Sequence, residues 1–253
     1  MNKGESRITN LILRVLDNDT KEEINNFIDN LQTKTFYNIT TYEEILKLFR
    51  EEINNFTYSL SKEEQLNIKF YSGYYYKFIN SILRDNWNYE ENGKLDDNTK
   101  EKYKKIANSI KDSLTKFPIL PINLYTYRGT SIDTFKEYNI HCLEDLIYLN
   151  GKYFYERGFT STSVLEENSY YNQPPDESKQ YNIKIKYLIP EYCNDGAIIC
   201  NNVLSYSPNQ TEYLITSGSL FKVIDVNIKN NEANITMALV PNKIYEKDKV
   251  KKH

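Results

Sequence analysis

The sequence predicts an α+β fold, helices first and antiparallel strands second. Apolar residues recur at three- and four-residue spacing up to Pro118, where Pro118 and Pro121 stop helix formation. Beyond them apolar residues recur at every second position, the period of a half-buried strand. No internal repeat is visible.

Each element has its own signal. Ile8, Leu11, Ile12, Val15 and Leu16 form the first helical stripe. Thr20 and Glu23 fit a capping box ahead of Ile24, Phe27, Ile28 and Leu31. Thr40 and Glu43 open a third helix, with Ile45, Leu46, Phe49 and Ile53 on its apolar side, and Ser61 and Glu64 open a fourth that ends near Gly73. A fifth runs from about Tyr74 to Arg84 with Phe78, Ile79, Ile82 and Leu83 inward. Glu90 to Lys100 is polar and reads as a loop, before a sixth helix carrying Tyr103, Ile106, Ala107, Ile110 and Leu114. Leu124 to Arg128 is strand-like, and Leu143 to Leu149 reads as a last helix ended by Asn150-Gly151. Phe159 to Ser163 follows a break at Gly158, and Asn172 to Lys179, with Pro174-Pro175, is a loop. Asn182 to Ile189, Leu220 to Ile228 and Ile235 to Val240 alternate as strands. Another alternating segment starts after Asn209; as a strand it would project Gln210 and Glu212, two residues apart, to one face.

Composition narrows the chemistry. The 253 residues suit one large domain, or one domain with a helical extension. Hydrophobic residues at 40% and charged residues at 26% are ordinary for a globular chain, and a net charge of -3 argues against a general phosphate-backbone binder. Three cysteines form no even disulfide framework. With two histidines and no zinc-ligand spacing, a metalloenzyme or a serine–histidine hydrolase is disfavoured. No run is apolar enough to span a bilayer, and Met1 to Ser6 does not read as a signal peptide. If the protein is secreted, a leader has been removed or another export route serves.

Three short motifs carry the functional signal: Tyr127-Arg128-Gly129, then Ser161-Thr162-Ser163, then Gln210-Thr211-Glu212. Alone, each is commonplace: a surface arginine, a turn or cap, a solvated strand edge. In this order they resemble the arginine/Ser-Thr-Ser/glutamate class of mono-ADP-ribosyltransferases. They are most similar to the small clostridial exoenzymes that modify Rho GTPases, because a glutamine stands two before the glutamate. Leu60 to Glu64, Ile79-Asn80, Leu83-Arg84 and Phe117 to Pro121 extend the resemblance over roughly residues 40 to 245. The resemblance implies two packed, roughly perpendicular antiparallel sheets flanked by helices, with a catalytic domain at 40–253 and a helical extension at 1–39.

The resemblance also implies roles. NAD would be the substrate, and no metal is implied. Glu212 would stabilise the cation that grows on the ribose, with Ser161 holding it by a hydrogen bond. Arg128 would grip NAD through its guanidinium fork, Arg84 would be a second phosphate-binding arginine, and Asn80 would stand one turn earlier. Thr162 and Ser163 would support the site. Gln210 would orient the amide of a target side chain, asparagine on a Rho-type GTPase of the host cytosol, and Tyr206 would touch the target protein. The loop after Ser-Thr-Ser holds Tyr170 and Tyr171, either of which could stack on nicotinamide. It holds no arginine, so Gln173 or Lys179 would replace that contact. Tyr206 lies four before Gln210, one further than the family pattern. Transfer to guanine in DNA, and a non-catalytic docking copy of a two-component toxin, are the competing readings. The extension reads as a brace on the domain, or as a dock for a translocation component; its mixed charges (Arg7, Arg14, Asp17, Asp19) disfavour a third reading, contact with a membrane.

Overall fold

The computed structural model describes residues 16–86, 93, 95–169 and 182–245. The stripe from Ile8 to Val15, Tyr170, Tyr171, Gln173 and Lys179 lie outside these residues. Among the described residues five helices come first: α1 (Asn18–Gln32), α2 (Tyr42–Ser59), α3 (Lys62–Phe70), α4 (Tyr76–Leu83) and α5 (Asp97–Leu114). A π-helical turn, Tyr71–Tyr75, joins α3 to α4 with a kink at Gly73. The Ser61–Glu64 capping box is present in both directions. The other expected caps shift. Asp17, not Thr20, caps α1 by accepting from the Thr20 N–H, and Thr41, not Thr40, caps α2. Asp96 caps α5, so that helix begins inside the segment read as a loop.

The strands are β1 (Leu124–Thr130), β2 (Tyr153–Glu156), β3 (Thr160–Ser163), β4 (Ile183–Ile189), β5 (Gly196–Ile199), β6 (Glu212–Ile215), β7 (Ser219–Lys229) and β8 (Glu232–Val240). Glu144–Leu149 is a 3-10 helix rather than an α-helix. The strand order is β2-β7-β8-β4-β1-β3-β6-β5. It divides into five strands and three, because β1 meets β3 through the single pair Tyr127↔Ser163, whereas β1 and β4 pair over seven residues. All neighbours are antiparallel except β4 and β8. A parallel pair needs a long connection, and residues 190–231, which include β5 to β7, supply it.

One apolar cluster takes residues from the helices (Ile45, Phe49, Ile68, Ile110), from the five-strand group (Ile185, Phe221, Met237) and from the three-strand group (Ile198, Tyr213, Ile215). A second cluster lies under α1, where Ile24, Ile28 and Leu31 cover Tyr153, Leu188, Leu220, Ala238 and Val240. Burying each of those three side chains contributes roughly 1.5–3 kcal/mol. The Tyr153 hydroxyl donates to Asn25 Oδ1 at 2.9 Å, and the backbone of Tyr37 bonds both Asn123 and Tyr125. The chain therefore passes residue 39 already packed on the sheet. No helix among the described residues is long and apolar enough to cross a membrane.

Candidate active site

A cavity of about 340 Å³ opens where the two strand groups meet. Arg128 lines it from β1, Ser161, Thr162 and Ser163 from β3, and Gln210 and Glu212 from the chain entering β6. Tyr71, Ser72, Gly73 and Tyr76 close it from the π-turn and the start of α4.

The β3–β6 register places Ser163 opposite Glu212 and Ser161 opposite Leu214. Ser161 and Glu212 thus sit diagonally on one face. The Ser161 hydroxyl stands beside the Glu212 carboxylate and favours its charged form. Thr162 Oγ1 donates to the Tyr213 carbonyl at 2.8 Å. Ser163 Oγ lies 2.9 Å from the Gln210 carbonyl oxygen. Each member of Ser-Thr-Ser therefore engages a different residue in or next to the Gln-x-Glu segment.

Glu212 is 7% exposed. Burial pushes its carboxyl up from the ordinary 4.5 to about 7, against the opposing pull of the Ser161 hydroxyl and the Arg128 charge. Tyr71 backs it; burial, and then the Glu212 charge, push the Tyr71 phenol up. A carboxylate so poorly compensated favours any positive charge brought beside it. A ribose that takes up positive charge as its bond to nicotinamide breaks suits that need, and Arg128 offers a fork for phosphate or ribose oxygens. The residues present fit NAD.

Gln210 and Glu212 do not meet as alternating strand residues. Gln210 ends a 3-10 turn, Pro208–Gln210, and Thr211 follows in the left-handed region at φ 50°, so the strand begins only at Glu212. That turn, rather than strand alternation, brings both side chains to the cavity. Asn168 supports it by donating to the Asn209 carbonyl at 2.8 Å.

Arg84 lies outside the cavity lining. Its Nε and one Nη hold the two oxygens of buried Glu156 at 2.8 and 2.9 Å. Glu156 also accepts the Gly158 N–H at 2.7 Å. The arginine expected on phosphate is thus engaged by a carboxylate that braces the turn into β3. Asn80 does line the cavity, yet its amide is committed as well. It donates to Tyr71 Oη at 3.0 Å and to the Phe159 carbonyl at 3.2 Å, and accepts the Phe159 N–H at 2.9 Å. A Cβ at Gly158 would lie 2.8 Å from Asn80 Oδ1, so only glycine admits this approach. Asn80 and Arg84 both position β3.

Tyr206 is 56% exposed. Its ring packs against Gly73, where a Cβ would come within 2.7 Å of Cδ2, and its N–H donates to Ser72 Oγ at 3.2 Å. Nothing in the sequence singled out Tyr71, Tyr76 or Glu156. The two tyrosines are lost in a run rich in tyrosine, and Glu156 is 72 residues from its arginine.

A model of the ADP-ribosyltransferase exoenzyme family matches residues 47–245. No curated protein matches the chain. Solved structures do. A protein from S. aureus, solved with NAD, is 20% identical at a TM-score of 0.63 and covers 82% of this chain and 100% of its own. An ADP-ribosyltransferase toxin from Paenibacillus larvae is 21% identical at a TM-score of 0.62, covering 81% and 100%. An ADP-ribosyltransferase from Clostridium botulinum is 24% identical at a TM-score of 0.56, covering 81% and 99%. These likenesses bear on the fold, and the family model bears on the enzyme class. The chain belongs to the ADP-ribosyltransferase exoenzymes, toxin enzymes that transfer a single ADP-ribose from NAD.

Proposed function

We propose that this enzyme moves ADP-ribose from NAD to the side-chain amide of an asparagine on a Rho-type small GTPase of the host cytosol. The observation that carries this reading is Gln210: it shares one cavity with Glu212, Ser161 and Arg128. An amide both donates to and accepts from another amide, whereas an ionised carboxylate only accepts and suits a guanidinium.

Arg128 holds NAD through its oxygens. Glu212, fixed by Ser161, stabilises the charge that builds on the ribose as the C1′–nicotinamide bond breaks and its electron pair leaves with nicotinamide. The target amide nitrogen then bonds to C1′ and releases one proton to solvent. Water taking that place gives NAD hydrolysis as a side reaction. Thr162 and Ser163 maintain the cavity wall, and Tyr206 meets the target protein. Tyr170 and Tyr171 remain the aromatic candidates for nicotinamide, joined by Tyr76, which lines the cavity. Residues 40–253 form the catalytic unit, and the described part of 1–39 braces it from outside.

The test is labelled NAD with a purified Rho-type GTPase and with host-cell lysate, followed by mass spectrometry of the modified residue. Label on an asparagine of the GTPase is expected. Gln210→Ala should lower protein transfer far more than hydrolysis, because the amide faces the acceptor rather than the ribose. Label on arginine, or on nucleic acid, overturns the proposal.

A further inference from the structure

Thr211 joins the two residues that divide the work of the cavity, and its backbone is unusual. Its φ of 50° is left-handed, a conformation that a β-branched residue adopts only under constraint. Such strain persists where the surroundings over-determine it, and here they do. The Thr211 N–H donates to the Pro208 carbonyl at 3.1 Å, and its own carbonyl accepts the Val164 N–H at 2.9 Å. Its Oγ1 lies 2.8 Å from the Gln210 carbonyl oxygen and 3.0 Å from Ser163 Oγ. Ser163 gathers the rest. Its Oγ lies 2.9 Å from the Gln210 carbonyl oxygen and 2.7 Å from that of Leu165, and it accepts the Leu165 N–H at 3.1 Å. Ser163 is 5% exposed and Thr211 is 1% exposed, so water does not substitute for these bonds.

We infer that Ser163 is a positioning residue that clamps the left-handed turn at Thr211, fixes Gln210 relative to Glu212, and thereby sets how much ADP-ribose goes to a protein amide rather than to water. This rests on the reading of Gln210 as the acceptor-facing group. In both outcomes the C1′–nicotinamide bond breaks with its electron pair on nicotinamide. C1′ then bonds to the acceptor nitrogen or to a water oxygen, and one proton is released. The clamp acts on the choice between the two nucleophiles. Glu212, which serves the bond-breaking step, has Ser161 beside it instead.

The experiment measures protein transfer and NAD hydrolysis side by side in Ser163→Ala, Thr211→Gly and the double variant, with Gln210→Ala as reference. Ser163→Ala should lower the transfer-to-hydrolysis ratio about tenfold, the scale of one buried hydrogen bond. Ser163→Cys, similar in size and a weaker donor, should fall between it and the parent. Glycine takes the left-handed conformation without constraint, so in the Thr211→Gly background Ser163→Ala should change the ratio by less than about threefold. An equal fall of both activities in Ser163→Ala, or an undiminished effect in the glycine background, overturns the clamp when Gln210→Ala still separates the two activities. If Gln210→Ala lowers both alike, the acceptor reading itself fails, and the clamp's role in nucleophile choice fails with it. Ser163→Cys and Thr211→Gly keep the question open to decision if Ser163→Ala does not fold.

Discussion

Glu212→Gln should make the protein more stable, and only at neutral and alkaline pH. Glutamine approximates the neutral acid in shape and leaves Ser161 an oxygen to bond. In the parent, burial raises the Glu212 carboxyl from 4.5 to about 7. Below pH 4.5 the carboxyl is protonated in both the folded and the unfolded chain, and the site carries no penalty. Between 4.5 and about 7 the unfolded chain releases a proton that the folded chain keeps, so stability falls as pH rises. Above about 7 the folded chain holds a buried carboxylate, and at ~1.4 kcal/mol per pH unit the accumulated cost is roughly 3 kcal/mol. The variant escapes that cost. For a chain of this size each kcal/mol moves the melting temperature by roughly 2–4 °C, so the gain at pH 8 is about 6–12 °C. Thermal or urea unfolding of both proteins from about pH 4 to 8.5 is the assay. The size of the difference at any one pH also reflects how well the amide packs, so its change with pH is the quantity to read. A parent-to-variant difference that stays constant over this range would falsify the buried-carboxylate account.

The same titration should appear in catalysis: kcat/KM for NAD is expected to rise with pH up to about 7 and then level off, as Glu212 ionises in the free enzyme. Glu212→Gln should fall ~10²–10³-fold and lose that limb, and a profile without the limb in the parent would remove Glu212 from the charge-stabilising role. Glu156→Gln should cost roughly 2 kcal/mol in urea unfolding, below the usual ~3–5 for a broken buried pair because the Arg84 side chain is 20% exposed. An unchanged urea midpoint would mean that the Arg84–Glu156 pair does not brace the turn into β3.

The three motifs were legible because the chemistry is concentrated in short strings whose order survives without any knowledge of packing. The Ser61–Glu64 cap was legible for the same reason: both of its hydrogen bonds are local. The caps at Asp17 and Thr41 were misplaced because each has a second competent residue close by, and only the packed helix decides between them. The Arg84–Glu156 pair was not legible because Glu156 is brought to Arg84 by β2, a four-residue strand too short to announce itself. β5 was missed for a related reason: all four of its residues are buried, so it shows no alternation. The left-handed position after the Pro208–Gln210 turn is a threonine, not the glycine or asparagine that would mark it. Gln210 therefore looked like the first residue of a strand it only precedes.

The single pair Tyr127↔Ser163 has a consequence for how the enzyme can vary. Arg128 belongs to the strand on one side of that seam, and Ser161 and Glu212 belong to strands on the other. A fully zipped ladder would fix the spacing between cofactor grip and reacting group through its backbone. Here that spacing is delegated to the packing of side chains in the core shared by the two strand groups. The spacing is thus adjustable by inheritance. A change of volume deep in the shared core can widen or narrow the working gap while every motif residue stays the same, and chains with identical motifs can differ in rate for reasons that no motif records.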